Sequence, residues 1–318
     1  MADDEKLHDI VMIGAGPSAL CAAVYTTRED IDTVLVEKGV VGGLAAITDW
    51  VDNYPGFSKG VSGLDLAGEL QAQAERFGAD IRYGEVTKIV DEGRTKRVET
   101  TEGALQAKAV LIATGSDYKK LGIPGEAEYY GRGVHYCATC DGAFYRDKKL
   151  AVVGGGNSAV QEALFLTRFA SHIDLLVRSK LRASDVLQHE LDKAVAAGKI
   201  TVHLETVPKE IVATDGKTVD VIRVEKNGTS EDIAIDGVFV FIGLLPNTGF
   251  LAGSDIALDE IGMIKTDTNM MTSMPGVFAS GDVRSGATAQ IASAVGEGAT
   301  AALKMREYIE DYERTHSV

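Results

Sequence analysis

Short apolar runs that end in glycine-rich turns recur along this chain of 318 residues. The run DIVMI at residues 9–13 leads into GAGPSA, and KLAVV at residues 149–153 leads into GGGNSA. Each turn is followed by small and apolar residues typical of a helix, and then by another apolar run. A short continuous apolar run between turn signals is typical of a strand buried in a parallel sheet. The pattern therefore predicts an α/β fold with two similar strand–turn–helix units.

Three further apolar runs indicate how the chain is divided. AVLIATGS (residues 109–116) and GVFVFIGLLPN (237–247) lie on either side of the second unit, and GVFASGDV (276–283) precedes a long helix predicted at 289–312. We interpret the two flanking runs as paired crossings between domains. The sequence therefore predicts two Rossmann-like dinucleotide-binding domains, each a three-layer ββα arrangement, with the second inserted in the first. The predicted boundaries are 1–116 with 246–318 for the first domain and 117–245 for the second.

The first glycine turn has the spacing of a dinucleotide-binding fingerprint. Gly14 allows the tight turn, Gly16 lets a pyrophosphate approach the backbone, and the small Ala19 allows the helix to pack on the strand. Glu37 ends the next strand, where the fingerprint has an acid for a ribose 2′-hydroxyl. This first site is interpreted as one for FAD.

The second turn repeats the spacing with Gly154 and Gly156 but lacks the acid. Val177 stands at the corresponding position, and Arg178, Lys180 and Arg182 follow it. Basic side chains suit a ribose 2′-phosphate, so the second site is interpreted as one for NADPH. A solvated basic loop without a ligand stays open as an alternative.

Composition narrows the class of partner and the compartment. The net charge of −15 and the isoelectric point of about 4.9 disfavour nucleic acids and anionic membranes. The acidic start of the sequence does not resemble a signal peptide, and no apolar run is long enough to span a bilayer. We expect a cytoplasmic protein.

The three cysteines indicate redox chemistry rather than a structural framework. Cys137 and Cys140 form a Cys-x-x-Cys pair directly before Asp141, whereas Cys21 is predicted to be a buried core thiol. In a reducing compartment such a pair is catalytic or metal-binding. No second pair of cysteines or histidines accompanies it, so we predict no metal site. His135 is left open between packing and an influence on the thiols.

The segment CATCDG, preceded by GRGVHY, resembles the redox segment of low-molecular-weight thioredoxin reductases, which are FAD-dependent pyridine nucleotide-disulfide oxidoreductases. GAGPSA, DNYPGF, IATGS, LGIPG, PNT and PGVFASGDV also occur in the order of that family, so the resemblance runs from about residue 8 to residue 310. It implies a homodimer that transfers electrons from NADPH through FAD and the dithiol to thioredoxin or a similar small protein.

The resemblance also implies roles for individual residues. Cys140 would be the sulfur nearer the flavin, Cys137 the nucleophile toward the substrate disulfide, and Asp141 an acid catalyst. Hinges would lie at residues 114–116 and 243–247. The implied FAD ligands are Gly14, Gly16, Pro17, Ser18, Glu37, Gly42, Gly43, Asn53, Ala113, Thr114, Gly115, Gly281, Asp282, Gln290 and Ile291. The implied NADPH ligands are Gly154, Gly156, Asn157, Ser158, Arg178 and Arg182.

The chain departs from the family pattern at four positions. Leu44 stands where a glutamine near the flavin is usual, and Ala289 stands where an arginine often precedes the glutamine. Val177 and Ser179 replace a histidine and an arginine of the 2′-phosphate loop. NADH and reduced ferredoxin therefore stay open as electron donors beside NADPH. An FAD-dependent dithiol oxidase and a non-catalytic flavin redox sensor are the alternatives in function.

Overall fold

The computed structural model describes residues 6–48 and 50–316, which divide into two compact units. The outer unit comprises the chain up to Asp117 and from Leu245 onward, and the inserted unit is the continuous segment Tyr118–Leu244. Among the described residues, no helix combines the length and the apolar character needed to cross a bilayer.

The secondary structure alternates strands with helices in both units. The strands are β1 (Leu7–Ile13), β2 (Thr33–Glu37), β3 (Asp80–Tyr83), β4 (Val86–Asp91), β5 (Lys96–Thr100), β6 (Gly103–Ile112), β7 (Ser116–Tyr118), β8 (Val134–His135), β9 (Lys149–Val153), β10 (His172–Leu176), β11 (Ile200–His203), β12 (Thr206–Val212), β13 (Val221–Lys226), β14 (Thr229–Ala234), β15 (Gly237–Val240), β16 (Leu244–Pro246) and β17 (Val277–Ala279). The helices are α1 (Pro17–Thr27), α2 (Gly43–Ala46), α3 (Gly63–Arg76), α4 (Ala138–Asp141), α5 (Asn157–Leu166), α6 (Asp185–Ala196) and α7 (Ile291–His316).

The outer unit is built on one sheet with the order β3-β2-β1-β6-β5-β4. The long strand β6 is shared, because its first half pairs antiparallel with β5 and its second half pairs parallel with β17. Strand β1 explains why the apolar run is continuous. Ile10 and Met12 face the layer of α1, α3 and α7, whereas Val11 and Ile13 face the layer that contains the β4–β5 hairpin.

The inserted unit repeats this arrangement on a smaller scale. Its parallel sheet has the order β11-β10-β9-β15-β8, and β12, β13 and β14 form a separate antiparallel sheet. In β9, Leu150 and Val152 pack in the cluster that contains α5 and α6, whereas Ala151 and Val153 pack in the cluster that contains β12 and β13. Each unit is therefore a three-layer structure around its own parallel sheet.

The chain passes between the units at β7 and β16, which pair with each other as a two-stranded sheet. Further bonds tie each unit to this pair. The amide of Asn247 donates to the carbonyl of Gly115 over 3.1 Å, and the amide of Lys119 donates to that of Gly243 over 3.0 Å. Both crossings therefore run side by side.

Candidate active site

The two cysteines of the redox segment form a disulfide at the start of a short helix. The Cα atoms of Cys137 and Cys140 are 5.3 Å apart. Cys137 occupies the position before the first residue of α4, and the amide of Cys140 donates to its Sγ over 3.1 Å. An N–H directed at sulfur favours the thiolate over the thiol. The backbone of this turn therefore directs one N–H at the sulfur of Cys137.

Asp141 follows Cys140 directly and has a buried partner. Its backbone amide donates to the carbonyl of Cys137 over 3.1 Å, which closes the turn of the helix. Its Oδ2 lies 3.2 Å from Nδ1 of His135, and Nε2 of the same ring lies 2.7 Å from the hydroxyl of Tyr145. His135 is buried, so it is a packed residue that also contacts the acid beside the dithiol.

The first glycine turn borders a cavity of about 340 Å³ in the outer unit. At Gly14 φ is +98°, and an added Cβ would lie 2.6 Å from the carbonyl oxygen of Ala113, so only glycine fits. Gly16 has no atom within 4 Å of such a Cβ, which leaves its backbone open to a ligand. Both features are those that a bound pyrophosphate requires.

Glu37 is held at the wall of this cavity by the backbone. Its Oε2 accepts from the amide of Ala15 over 2.7 Å, and its Oε1 accepts from the amide of Gly39 over 2.7 Å. These bonds fix the carboxylate at the end of β2, beside the glycine turn. The arrangement matches a carboxylate that accepts from a ribose hydroxyl.

Asp282 lies at the same cavity, in the turn after β17. Burial, together with the nearby charge of Glu297, raises its pKa from 3.8 to about 6. Glu297 in turn accepts from the amide of Gly281 over 2.8 Å and pairs with Arg284 over 2.7 Å. The turn is thus held in place by the ion pair between Glu297 and Arg284, and Asp282 itself is part of the cavity lining.

Most of the predicted FAD ligands line this cavity. They are Gly14, Gly16, Pro17, Ser18, Glu37, Gly43, Ala113, Thr114, Gly115, Gly281, Asp282, Gln290 and Ile291. Gly42 instead allows close packing, because an added Cβ would lie 2.4 Å from the Cβ of Ala67 in α3. Asn53 is also outside the lining, but its Nδ2 donates to Oε1 of Gln290 over 3.1 Å. Leu44, the departure from the family pattern, lies in the wall.

The sequence did not predict several residues of the lining. Lys38, Val40, Ala45, Ile47, Ser116, Asp117, Asn247, Ser280 and Ala294 also contribute. A second cavity of about 550 Å³ shares Gly14, Glu37, Lys38, Thr114 and Asn247 with the first and extends to residues 84–87. Adjoining cavities of this kind suit an elongated dinucleotide. No motif indicated that residues 84–87 line one of them.

The second glycine turn has the same backbone requirements in the inserted unit. Gly154 has φ of +145°, and an added Cβ would lie 2.3 Å from the carbonyl oxygen of Phe241. Gly156 has no atom within 4 Å of an added Cβ. Asn157 begins α5, and its Oδ1 accepts from the amide of Ser184 over 2.8 Å. Ser158 follows in the first turn of that helix.

The basic loop lies directly over this turn. The amide of Arg182 donates to the carbonyl of Gly155 over 2.7 Å, whereas Val177 is buried. The side chains of Arg178, Lys180 and Arg182 are exposed, and none forms an ion pair with an acid within residues 6–48 and 50–316. Three uncompensated cations beside the open Gly156 fit a phosphorylated dinucleotide.

Within the part of the chain that the structure describes, no three His, Cys, Asp or Glu side chains gather in a way that could hold a metal ion. Cys21 is buried as predicted, and burial raises its pKa to about 11.

Comparison with known proteins agrees with this geometry. The profile of the family described as pyridine nucleotide-disulphide oxidoreductase matches residues 8–298. The thioredoxin reductase of Listeria monocytogenes is 42% identical over 314 residues, which are 98% of this chain and 97% of the relative. That of Bacillus subtilis is 41% identical over 314 residues, 98% of each chain. The crystal structure of the thioredoxin reductase from Streptococcus pyogenes is 42% identical, covers 96% of this chain and 99% of its own, and superimposes with a TM-score of 0.89.

These similarities confirm the predicted fold class of two Rossmann-like domains and the predicted class of enzyme, an oxidoreductase. The predicted cofactors, FAD and NADPH, are those of thioredoxin reductases in this family. With a profile match over most of its length and relatives above 40% identity, the chain belongs to the pyridine nucleotide-disulphide oxidoreductase family.

Proposed function

We propose that the protein is a thioredoxin reductase, which passes electrons from NADPH through FAD and the Cys137–Cys140 pair to the disulfide of thioredoxin or a similar small protein. The disulfide at the start of α4, followed directly by Asp141, is the observation that carries this proposal. The alternative of a ligand-free structural disulfide does not account for two glycine turns with open backbone at Gly16 and Gly156.

The cofactors are assigned to the units by the residues that surround each glycine turn. FAD would bind in the outer unit, against Gly16, Glu37 and Asp282, and NADPH in the inserted unit, against Gly156 and the basic loop. When bound, the two cofactors supply hydride transfer from nicotinamide to flavin and an electron pair for the disulfide. The residues of this chain hold the phosphates, orient the ribose hydroxyls and exclude water around the rings.

The dithiol then performs thiol–disulfide exchange with the substrate. Cys137, as thiolate, attacks one sulfur of the substrate disulfide and forms a mixed disulfide. Cys140 attacks the sulfur of Cys137, which restores the disulfide of this protein and releases the reduced substrate. Asp141 is placed to accept the proton of an attacking thiol and to return it to a leaving sulfur.

The identity of the donor rests on the basic loop. Arg178 and Arg182 are exposed and have no acidic partner in the described part of the chain, which supports a 2′-phosphate ligand. Val177 does not contribute, because its side chain packs inward against Gly155. We therefore propose NADPH as the donor, held by fewer polar contacts than the family pattern implies.

An anaerobic titration of the purified protein tests the first half of the pathway. NADPH is expected to bleach the flavin absorbance near stoichiometric amounts, and NADH only at much higher concentration. Bleaching by reduced ferredoxin alone would replace the donor in this proposal. Oxygen consumption with small dithiols, without bleaching by any nicotinamide, would favour a dithiol oxidase, and a protein that turns over with no donor would be a redox sensor.

A cysteine variant tests the second half. Cys137→Ser is expected to keep flavin reduction by NADPH but to reduce the rate of thioredoxin reduction by at least about 1,000-fold, because the attacking thiolate is lost. The matched control is Cys21→Ala, which removes a buried thiol outside the pair and is expected to keep full activity. Thioredoxin reduction at the normal rate by Cys137→Ser would refute the relay through this pair.

Assembly and location complete the proposal. From the resemblance we expect a homodimer, which light scattering would detect as twice the mass of 33.7 kDa. A cytoplasmic location remains a prediction from the sequence, and it agrees with a Cys-x-x-Cys pair that has to be kept reducible.

A further inference from the structure

We propose that Tyr145, His135 and Asp141 form a proton-holding triad beside the dithiol, in which the buried His135 is a positioning residue for the catalytic carboxylate. The inference rests on the proposed function, because it assigns to His135 and Tyr145 a part in the same exchange reaction. It goes beyond the redox segment itself, since neither residue belongs to the Cys-x-x-Cys motif.

The three side chains contact one another although they belong to three different elements. His135 ends β8, Asp141 ends α4, and Tyr145 ends the 3₁₀ turn Gly142–Tyr145. Nδ1 of His135 lies 3.2 Å from Oδ2 of Asp141, and Nε2 lies 2.7 Å from the hydroxyl of Tyr145. Only 8% of the His135 side chain and 24% of the Asp141 side chain are exposed.

The aromatic surroundings fix the imidazole ring in this orientation. The ring stacks on Phe239 with a centroid distance of 5.1 Å, and Tyr145 meets it edge-on at 5.3 Å. Gly237 leaves the space for Tyr145, because a Cβ there would lie 2.5 Å from the tyrosine ring. The ring is thus held with Nε2 bonded to the hydroxyl of Tyr145 and Nδ1 within 3.2 Å of the carboxylate of Asp141.

The direction of proton donation follows from Tyr145. Burial, followed by the charges of Asp141 and Asp236, raises the pKa of Tyr145 far above its ordinary value. The hydroxyl therefore stays protonated and can donate to Nε2. Since an ionised carboxylate can only accept, the tautomer that serves both contacts has its ring proton on Nδ1, facing Asp141. Tyr130 also interacts with Asp141: burial, and then the charge of Asp141, raise the pKa of Tyr130.

This arrangement has a defined task in the exchange reaction. When a thiol of the pair attacks, its proton passes to Asp141, a new sulfur–sulfur bond forms, and the substrate bond breaks. The leaving sulfur takes the same proton back, so no net proton is gained or lost in each step. His135 holds the carboxylate of Asp141 in position between these transfers.

The test is the pH dependence of thioredoxin reduction by enzyme that has been reduced beforehand, with oxidised Bacillus subtilis thioredoxin as the probe. In His135→Phe, which keeps an aromatic ring on Phe239, the acidic limb is expected to move up by about one pH unit, since a lost charge-assisted contact has this size. Tyr145→Phe removes one hydroxyl and is expected to shift the limb in the same direction by less. It also serves if His135→Phe does not fold.

Three further variants separate positioning from structure. His135→Asn keeps a donor near Asp141 and is expected to restore most of the wild-type profile. In Asp141→Asn the limb should disappear, and adding His135→Phe should then cause no further shift. His172→Phe, an exposed histidine of the inserted unit that bonds to Thr201, is the matched control.

A histidine-selective ¹⁵N NMR titration gives a readout that is independent of turnover. Asp141→Asn is expected to change the titration of one imidazole, which His135→Phe identifies. If wild-type enzyme fails to reduce thioredoxin while this coupling is seen, the proposed function is wrong but the contact between His135 and Asp141 is supported. Superimposable pH profiles of wild type and His135→Phe, together with an imidazole titration that does not respond to Asp141→Asn, would refute the proposed triad.

Discussion

Asp282 shows how one side chain links the flavin cavity to protein stability. Its carboxyl group lies in the turn after β17, where burial and then Glu297 raise its pKa to about 6. A carboxyl group that binds its proton more tightly in the folded than in the unfolded state stabilises the fold at low pH. That stabilisation is complete below the unfolded pKa and is lost as the pH rises through the folded pKa.

For flavin-free protein we therefore expect a pH-dependent stability term from Asp282. Between pH 4 and pH 7 the free energy of unfolding should fall by roughly 2 kcal/mol more in wild type than in Asp282→Asn, because the pKa rises by about two units at about 1.4 kcal/mol each and the unfolded carboxyl group is already more than half ionised at pH 4. Urea denaturation at several pH values measures this difference. Glu297→Gln keeps an acceptor for Gly281 but removes the second cause, so it should show a smaller term. Parallel curves for wild type and Asp282→Asn would contradict the prediction.

At the scale of single residues, the sequence allowed prediction of the residues that belong to a motif. It did not allow prediction of residues that come close to a motif only in the folded structure. Glu37 and the pair of cysteines could be identified because their spacing along the chain is fixed by the chemistry. The contact between His135 and Asp141 could not, because it depends on how β8 and α4 meet in space. Ser280 and Asn247 likewise reach the first cavity through the fold and not through a pattern.

The two strand–turn–helix elements show which glycines serve the backbone and which serve a ligand. Gly154 is confined by the carbonyl of Phe241 and has a φ that other residues avoid, whereas Gly156 has an ordinary φ of −92° and free space around it. The same contrast separates Gly14 from Gly16 in the outer unit. In each turn one glycine is therefore required by the backbone, and the glycine two positions later has open space beside it.

Alanine at Gly154 and alanine at Gly156 should affect different properties of the protein. Gly154→Ala is expected to destabilise the protein by roughly 2–4 kcal/mol, because it introduces both backbone strain and a steric clash. Gly156→Ala should change stability by less than about 1 kcal/mol, yet raise the KM for NADPH several-fold by obstructing the phosphates. Thermal unfolding and steady-state kinetics distinguish the two. Equal destabilisation by both substitutions would refute this division of roles.

Among the elements, the apolar strands were predicted more reliably than the helix ends and the antiparallel strands. The helix predicted after the second glycine turn begins at Asn157 and ends at Leu166, where the chain continues in turns closed by hydrogen bonds such as that from the amide of Ala170 to the carbonyl of Leu166. Of the apolar run at 109–116, residues 109–112 are the end of the longer β6, and Ser116 begins β7. Strands β12 and β14 contain exposed polar residues, so their own sequence pattern does not identify them. They are strands because both pair with β13.

The whole molecule consists of two units that each bury their own apolar clusters. The buried side chains on both faces of β9 come from the inserted unit, and those on both faces of β1 come from the outer unit. The inserted unit is also a continuous segment, Tyr118–Leu244. A segment with a closed core and no missing layer has the properties of an independent folding unit.

We therefore expect residues 118–244 to fold when produced alone. The fragment should unfold cooperatively, which circular dichroism measures, and should bind NADPH, which calorimetry measures. Introducing Gly154→Ala into the fragment is the control, since it should lower the unfolding temperature as in the full chain. A fragment that lacks a cooperative transition would show that its stability depends on the outer unit.

The side-by-side course of β7 and β16 also bears on how such enzymes evolve. Because both covalent links leave the outer unit at neighbouring points, a foreign domain with adjacent ends can replace the inserted one without distorting the framework. Recombination at these two points would exchange the second glycine turn, the basic loop and the disulfide as one block, and would leave the first glycine turn and Glu37 in place.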